Sequence, residues 1–244
     1  MYKFSPTGLA LFNNCPRCFW LNWHGIKMPR GIFPSLPRGM DLVIKKYFDT
    51  YREQDKLPPE IEGQLEGKLF KETKLLESWR SWKHTNLIYF DKENQVQISG
   101  ALDDCIQDGE FLIPLDYKTR GSALKSDNVS YYTFQLSTYE LLLSSANYPT
   151  TNYGYLLFFW PKKVEPNCIV TFETRLLTIP TKMQVVKDTI VHAKECVEGD
   201  IPDSSPECEM CKYIQDASTE IRRIDRIKRN DMFKNSVTEE ADNF

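Results

Sequence analysis

Two pairs of cysteines, Cys15-Pro-Arg-Cys18 and Cys208-Glu-Met-Cys211, stand at opposite ends of the 244-residue chain. Four thiolates in two C-x₂-C units suffice for a closed tetrahedral Zn²⁺ site, and the same four suit an iron–sulfur cluster. If one metal takes all four, both ends of the chain must meet beside whatever the middle folds into. The competing reading, two coincidental pairs of free thiols, fits poorly with only seven cysteines in the chain. Zinc and iron–sulfur stay equally open on spacing alone. An odd count excludes a complete set of internal disulfides. Cys105, Cys168 and Cys196 stand apart and read as small buried hydrophobes.

Charge and hydropathy narrow the function classes. Lys and Arg number 31 against 34 Asp and Glu, a formal net charge of -3, which excludes a generic basic nucleic-acid coat. His24, His84 and His192 are too scattered for a His-rich metal centre. No apolar run is long enough to span a bilayer. The first residues, Met1 to Pro6, lack the apolar core of a signal peptide. The expectation is a soluble, cytoplasmic protein with no membrane partner.

Periodicity predicts the elements. A short helix starts at Ser5-Pro6-Thr7, and Pro29 to Gly39 reads as loop. Met40, Val43, Ile44, Tyr47, Phe48 and Tyr51 repeat at helical spacing, predicting a helix over 39–54, and a second is predicted over 66–82. Strands are predicted at 87–91, 96–101 and 111–117, with Asp108-Gly109 turning a hairpin between the last two. A helix over 128–146, strands at 155–160 and 168–179 separated by Pro161 to Pro166, and a helix capped by Thr181 complete the pattern. The order predicts one α/β domain over 1–215: a mixed central sheet flanked by helices, with its core at 86–198. The cysteine-bearing ends, about 5–25 and 205–215, form an appendage. Residues 216–244 read as a charged helix or tail.

The chemistry concentrates in the meander. Gly100-Ala101-Leu102-Asp103 closes one strand and Leu115-Asp116-Tyr117-Lys118 the next, so pairing brings Asp103 beside Asp116. Asp116 and Lys118, one residue apart, share a strand face. Two adjacent carboxylates repel unless a cation lies between them, and oxygen-only ligands suit Mg²⁺ or Mn²⁺. Such an ion orients water, lowers its pKa and stabilises charge on a phosphate. Lys118 would position or deprotonate that water. Gln135 and Tyr139, four apart, share a helix face and can hold phosphate or water. An exposed ion-pair cluster, a core Tyr139 and a solvated Gln135 are the plainer readings of each motif alone.

Taken together, the motifs resemble the PD-(D/E)xK nuclease superfamily, in particular its RecB-like branch with the CRISPR-associated RecB-like exonucleases. The resemblance runs from about Ser5 to Tyr213. It rests on Gly100 with Asp103, on Asp116-Tyr117-Lys118, on Gln135-x-x-x-Tyr139, on the N-terminal Cys-Pro and on Cys208 to Tyr213. It implies a restriction-endonuclease-like core and a metal-dependent DNA nuclease acting on ends or single strands in repair, recombination or CRISPR-type processing. Asp103 and Asp116 would hold the Mg²⁺ or Mn²⁺ with the Tyr117 carbonyl, and a 4Fe–4S cluster or Zn²⁺ would sit on Cys15, Cys18, Cys208 and Cys211. The family usually adds a metal-binding His on the helix before the sheet. The matching stretch here, Gly39-Met40-Asp41-Leu42-Val43, has none, and Asp41 is its only hard ligand. That departure supports the alternative of an inactive, nucleic-acid-binding or assembly module.

Arg120 and Lys125 follow the acidic motif and are candidate phosphate contacts. Arg222 to Arg229 reads as a solvated basic helix. Trp20, Trp23, Trp79 and Trp82 could stack on bases, but core or interface positions are the plainer reading. No Gly-x-x-x-x-Gly-Lys-(Ser/Thr) is present, so any unwinding needs a helicase in trans.

Overall fold

The computed structural model describes residues 1–29, 35–124 and 130–241. Element order is β1 (Tyr2–Phe4), α1 (Pro6–Asn14), α2 (Pro16–Trp23), α3 (Ser35–Glu53), β2 (Lys68–Leu69), α4 (Thr73–Arg80), β3 (Ile88–Asp91), β4 (Val96–Ser99), β5 (Asp104–Asp108), β6 (Phe111–Thr119), α5 (Ser130–Ser145), β7 (Tyr153–Glu165), β8 (Ile169–Pro180), α6 (Met183–Glu198) and α7 (Glu209–Ala241). The fold is mixed α/β. Strands β2-β5-β6-β7-β8 form the main sheet, and β1-β4-β3 form a small one. Only β6 and β7 run parallel in the main sheet, joined through α5.

Alternation along β6 decides which helix each residue meets. Ile113, Leu115 and Tyr117 turn to one face and pack with Ile44 and Phe48 of α3. Leu112 turns to the other and joins the core built with Leu136, Tyr139 and Leu142 of α5. Asp116 and Lys118 share this second face, which is why they meet α5.

The expected meander divides between the two sheets. The chain leaves β4 at Gly100, crosses over, and starts β5 at Asp104, a strand the sequence pattern did not show. A Cβ at Gly100 would lie 2.9 Å from Pro6 Cγ and 3.0 Å from a Leu142 methyl, so only glycine lets this crossing pack so closely. The helix expected from residue 66 begins at Thr73, because Lys68 and Leu69 pair with β5 instead. Gly67, at φ +90°, lies so near the Gln107 carbonyl that a Cβ would approach within 2.5 Å.

Other boundaries moved. The helix α3 starts at Ser35, with Pro37 in its first turn, where a missing N–H is tolerated. Strand β7 continues through Pro161 with a register shift and turns only at Pro166–Cys168. Lys182, not Thr181, caps α6, and without a side-chain bond. Cys105 is buried as expected. Cys168 is exposed, because it stands on the turn between β7 and β8. Helix α7 keeps its basic run in solvent. No helix among the described residues is long and apolar enough to cross a membrane.

Candidate active site

The structure brings Asp103, Asp116, Lys118, Gln135 and Tyr139 together. Asp104 pairs with Leu115, so Asp103, just before β5, lies opposite Asp116. Asp116 is 1 % exposed. Its Oδ1 accepts from Gln135 Nε2 at 2.9 Å. Lys118 Nζ donates to Gln135 Oε1 at 3.0 Å, and Gln135 Nε2 donates to the Tyr139 hydroxyl at 2.6 Å. Four-residue spacing on α5 is what lets Gln135 and Tyr139 act on one carboxylate.

Asp116 Oδ2 has no hydrogen-bond partner among the described residues. The Lys118 ammonium lies 2.5 Å from it as an ion pair, outside hydrogen-bonding geometry. Burial pushes the Asp116 carboxyl up to about 7; the Asp103 charge adds to this and Lys118 opposes it. Burial, then the charges of Asp116 and Asp103, push the Tyr139 phenol well above its ordinary value, so it stays protonated.

Asp103 Oδ2 accepts from the Tyr117 N–H at 3.2 Å. A strand residue turns its N–H and C=O to the same side, so the Tyr117 carbonyl faces the Asp103 edge. Asp103 Oδ1 lies 2.7 Å from Lys45 Nζ, which also donates to Asp41 Oδ2 at 2.8 Å. Asp41 thus reaches the site through Lys45. Arg120 stands exposed just beyond β6, and Lys125 lies outside the described residues.

A hard-cation site fits this donor set. The carboxylate donors are oxygens, one buried oxygen of Asp116 has no hydrogen bond among the described residues and only the Lys118 ion pair, and two carboxylates face each other. Among the described residues three carboxylates, Asp41, Asp103 and Asp116, meet two ammoniums, Lys45 and Lys118.

Sequence reasoning missed the network on the opposite side. Asp104, fully buried, accepts at Oδ2 from Arg52 Nη2 at 2.6 Å, Arg80 Nη2 at 3.0 Å and the Tyr117 hydroxyl at 2.7 Å. Its Oδ1 accepts from the Cys105 N–H at 2.8 Å. Asp49 accepts from both arginines. Arg80 Nε also donates to the Asp103 carbonyl at 2.8 Å, fixing the backbone that carries the site. Residues 44, 48 and 52 are four apart, and Arg80 stands four beyond the buried Leu76. That spacing could have placed both guanidiniums on core-facing stripes.

The four cysteines also converge. Cys18 Sγ lies 3.5 Å from the sulfurs of Cys208 and Cys211, and Cys15 Sγ 3.8 Å from Cys211. All four sulfurs fall within 4.8 Å of one another. Burial pushes the Cys15 thiol up, but backbone hydrogen bonds with Cys18 and Ser205 bring it down to about 6. Arg17 Nε donates to Pro202 O at 2.8 Å and Trp20 Nε1 to Gly199 O at 3.0 Å, so the two chain ends are held by polar contacts as well. Cys196 stays apart from the cluster, its thiol 3.8 Å from Pro16 O.

Among known proteins, the family model described as the PD-(D/E)XK nuclease superfamily matches residues 34–215. The match takes in the acidic site, α5 and the second cysteine pair, and begins after the first pair. A search of curated proteins finds no match.

Proposed function

This chain belongs to the PD-(D/E)XK nuclease superfamily, and from that premise we propose that it is a Mg²⁺- or Mn²⁺-dependent deoxyribonuclease. Its substrates would be DNA ends or single strands, in repair, recombination or CRISPR-type processing. The observation that carries the reading is the buried Asp116, whose Oδ2 has only the Lys118 ion pair and no hydrogen bond among the described residues, with the Asp103 carboxylate opposite. Within the superfamily, the Cys15-Pro16 step at the start of α2, the Gln135/Tyr139 pair and the C-terminal cysteines favour the RecB-like branch.

Asp103, Asp116 and the Tyr117 carbonyl would hold the cation. When bound, such an ion supplies Lewis acidity toward a phosphoryl oxygen and an acidified water. Lys118, steadied by Gln135, orients the attacking water and offsets charge growing on the phosphate. Water oxygen bonds to phosphorus as the bond from phosphorus to one sugar oxygen breaks, leaving a phosphate monoester and a hydroxyl. Gln135 and the protonated Tyr139 keep Asp116 in place. Lys45 stands on the helix where the family usually carries a His and steadies Asp103. Exposed Arg120 serves the flanking phosphates, and Lys125 is proposed for the same role on sequence alone.

For the cysteines, a tetrahedron of sulfurs about 2.3 Å from one ion has edges of about 3.8 Å. The separations of 3.5 and 3.8 Å match that scale, which favours one structural Zn²⁺ over a bulkier 4Fe–4S cluster. A cytoplasmic location and a helicase partner in trans complete the reading.

One observation favours a second reading. The Lys45 ammonium already sits on Asp103, as it would in a nuclease-fold module that binds nucleic acid without cutting. Purified protein with Mn²⁺ and a labelled oligonucleotide decides between them. The nuclease reading expects cleavage that Lys118→Ala abolishes. Binding without cleavage, in wild type and Lys45→Ala alike, supports the module.

A further inference from the structure

A cavity of about 640 Å³ opens directly beside the acidic cluster, and Gln135 and Tyr139 form one of its walls. Its volume lies within the range of pockets that enclose whole small ligands. The other walls are chiefly apolar: Pro6 and Ala10 from the first helix, Phe134, and the indole of Trp82. None of its lining residues is charged. A phosphate therefore meets no positive charge here, whereas a flat, weakly polar ring finds apolar walls and a few neutral polar groups.

Trp82 is 76 % exposed, the largest exposure among the exposed apolar side chains with a ring. Its backbone is nonetheless held. The His84 N–H donates to the Ser81 carbonyl at 3.2 Å, closing a turn around Trp82, and the side chains of Arg80 and Thr85 tie its two flanks to the Asp103 and Gly100 carbonyls. The Lys83 ammonium lies 5.3 Å from the Trp82 ring centroid, and a ring flanked by a cation and presented at the mouth of an uncharged cavity is the arrangement of a stacking platform. Ser5 and Thr7 line the same cavity; their hydroxyls share one hydrogen bond at 3.1 Å and Ser5 Oγ accepts from the Gly8 N–H, which leaves one hydroxyl hydrogen for a base edge.

We infer that this cavity takes one unpaired nucleobase of the strand being cut, stacked on Trp82, next to the scissile phosphate that Lys118 and a cation on Asp103 and Asp116 would hold. The inference rests on the nuclease reading and sharpens it to a substrate class. A base within a duplex is stacked and paired on both sides and cannot enter, so the site selects single strands, frayed ends or extruded nucleotides. Sharing Gln135 between the carboxylate and the cavity ties the occupied base to the scissile phosphate.

The test uses labelled single-stranded oligonucleotides, intact or with a tetrahydrofuran abasic residue at each position in turn. Binding is read by fluorescence anisotropy on protein without divalent ion, and cleavage is read separately with Mn²⁺. Because Trp82 is solvent-facing, Trp82→Ala should keep the wild-type melting temperature. Trp82→Ala is expected to weaken binding and cleavage of the intact strand roughly 10-fold, the scale of one base–aromatic stack. Trp82→Phe should restore most of both. In wild type, an abasic residue beside a given bond should produce a similar loss at that bond, and Trp82→Ala should be insensitive to it. Binding with this base dependence but without cleavage would uphold the cavity and overturn the nuclease reading. Wild-type cleavage that Trp82→Ala and abasic residues leave unchanged would overturn the cavity and uphold the nuclease. Failure of wild type to bind any single strand would overturn the cavity as well.

Discussion

Across the start of β5 two charged clusters lie back to back, and they are finished differently. Asp104 and Asp49 face Arg52 and Arg80, two charges of each sign, and the Tyr117 hydroxyl and the Cys105 N–H complete the bonding of Asp104. On the other side Asp41, Asp103 and Asp116 face only Lys45 and Lys118, and one buried oxygen of Asp116 lacks a hydrogen-bond partner among the described residues. Asp103 and Asp104 are adjacent in sequence, so alternation alone sends them to opposite sides. The closed cluster fixes backbone. The open one keeps an electrostatic deficit that a cation removes.

Substitutions should separate the two. Asp116→Asn removes a charge from the open side. Cleavage should fall at least roughly 10²–10³-fold, the scale of losing one transition-state partner, while the metal-free protein melts higher. An unchanged rate would erase the contrast. Arg80→Met opens the closed side, strands Asp49 and Asp104, and should cost about 3–5 kcal/mol in denaturant unfolding. A cost near zero would mean that the network is not closed.

The pH dependence of stability should differ in sign. Asp116 is raised from 3.8 to about 7 in the fold. Between those values the folded state keeps a proton that the unfolded chain has lost, so stability falls as pH rises through that window. Asp49 is lowered; burial alone would raise it, but Arg80 outweighs burial. Its contribution is present above 3.8 and is lost as pH falls below that value. Metal-free protein should therefore lose on the order of a few kcal/mol from about pH 5 to about pH 8, and Asp116→Asn should flatten that slope. The smallest effect belongs to Cys208→Ser. It should lower bound zinc and the melting temperature, but by less than Arg80→Met, because Arg17 and Trp20 still hold the ends together.

The open cluster was readable in sequence because each of its links is local. One-residue spacing put Asp116 with Lys118, and four-residue spacing put Gln135 with Tyr139. The hairpin put Asp103 opposite Asp116. Lys45 was not readable, since only the packing of α3 against the sheet brings it to Asp103. The closed cluster depends on three elements meeting, and the only local sign of Arg52 and Arg80 is their four-residue spacing from the buried Phe48 and Leu76. Strand β2 was hidden by its length: two residues carry no period, and its pairing is imposed by β5. The cavity beside Gln135 joins α1, α5, the residues after α4 and those after β4, a convergence with no trace in any one segment.

The central claim, that the open cluster is completed by a divalent cation and cuts DNA, is tested most directly by one assay. Purified wild type and Asp116→Asn are incubated with a labelled oligonucleotide across a Mn²⁺ titration, with the melting temperature followed in parallel. The account predicts that Mn²⁺ raises the melting temperature of wild type and switches on cleavage over the same concentration range, and that Asp116→Asn shows neither response. Wild type that neither binds Mn²⁺ nor cuts, or an Asp116→Asn protein that does both, would contradict it.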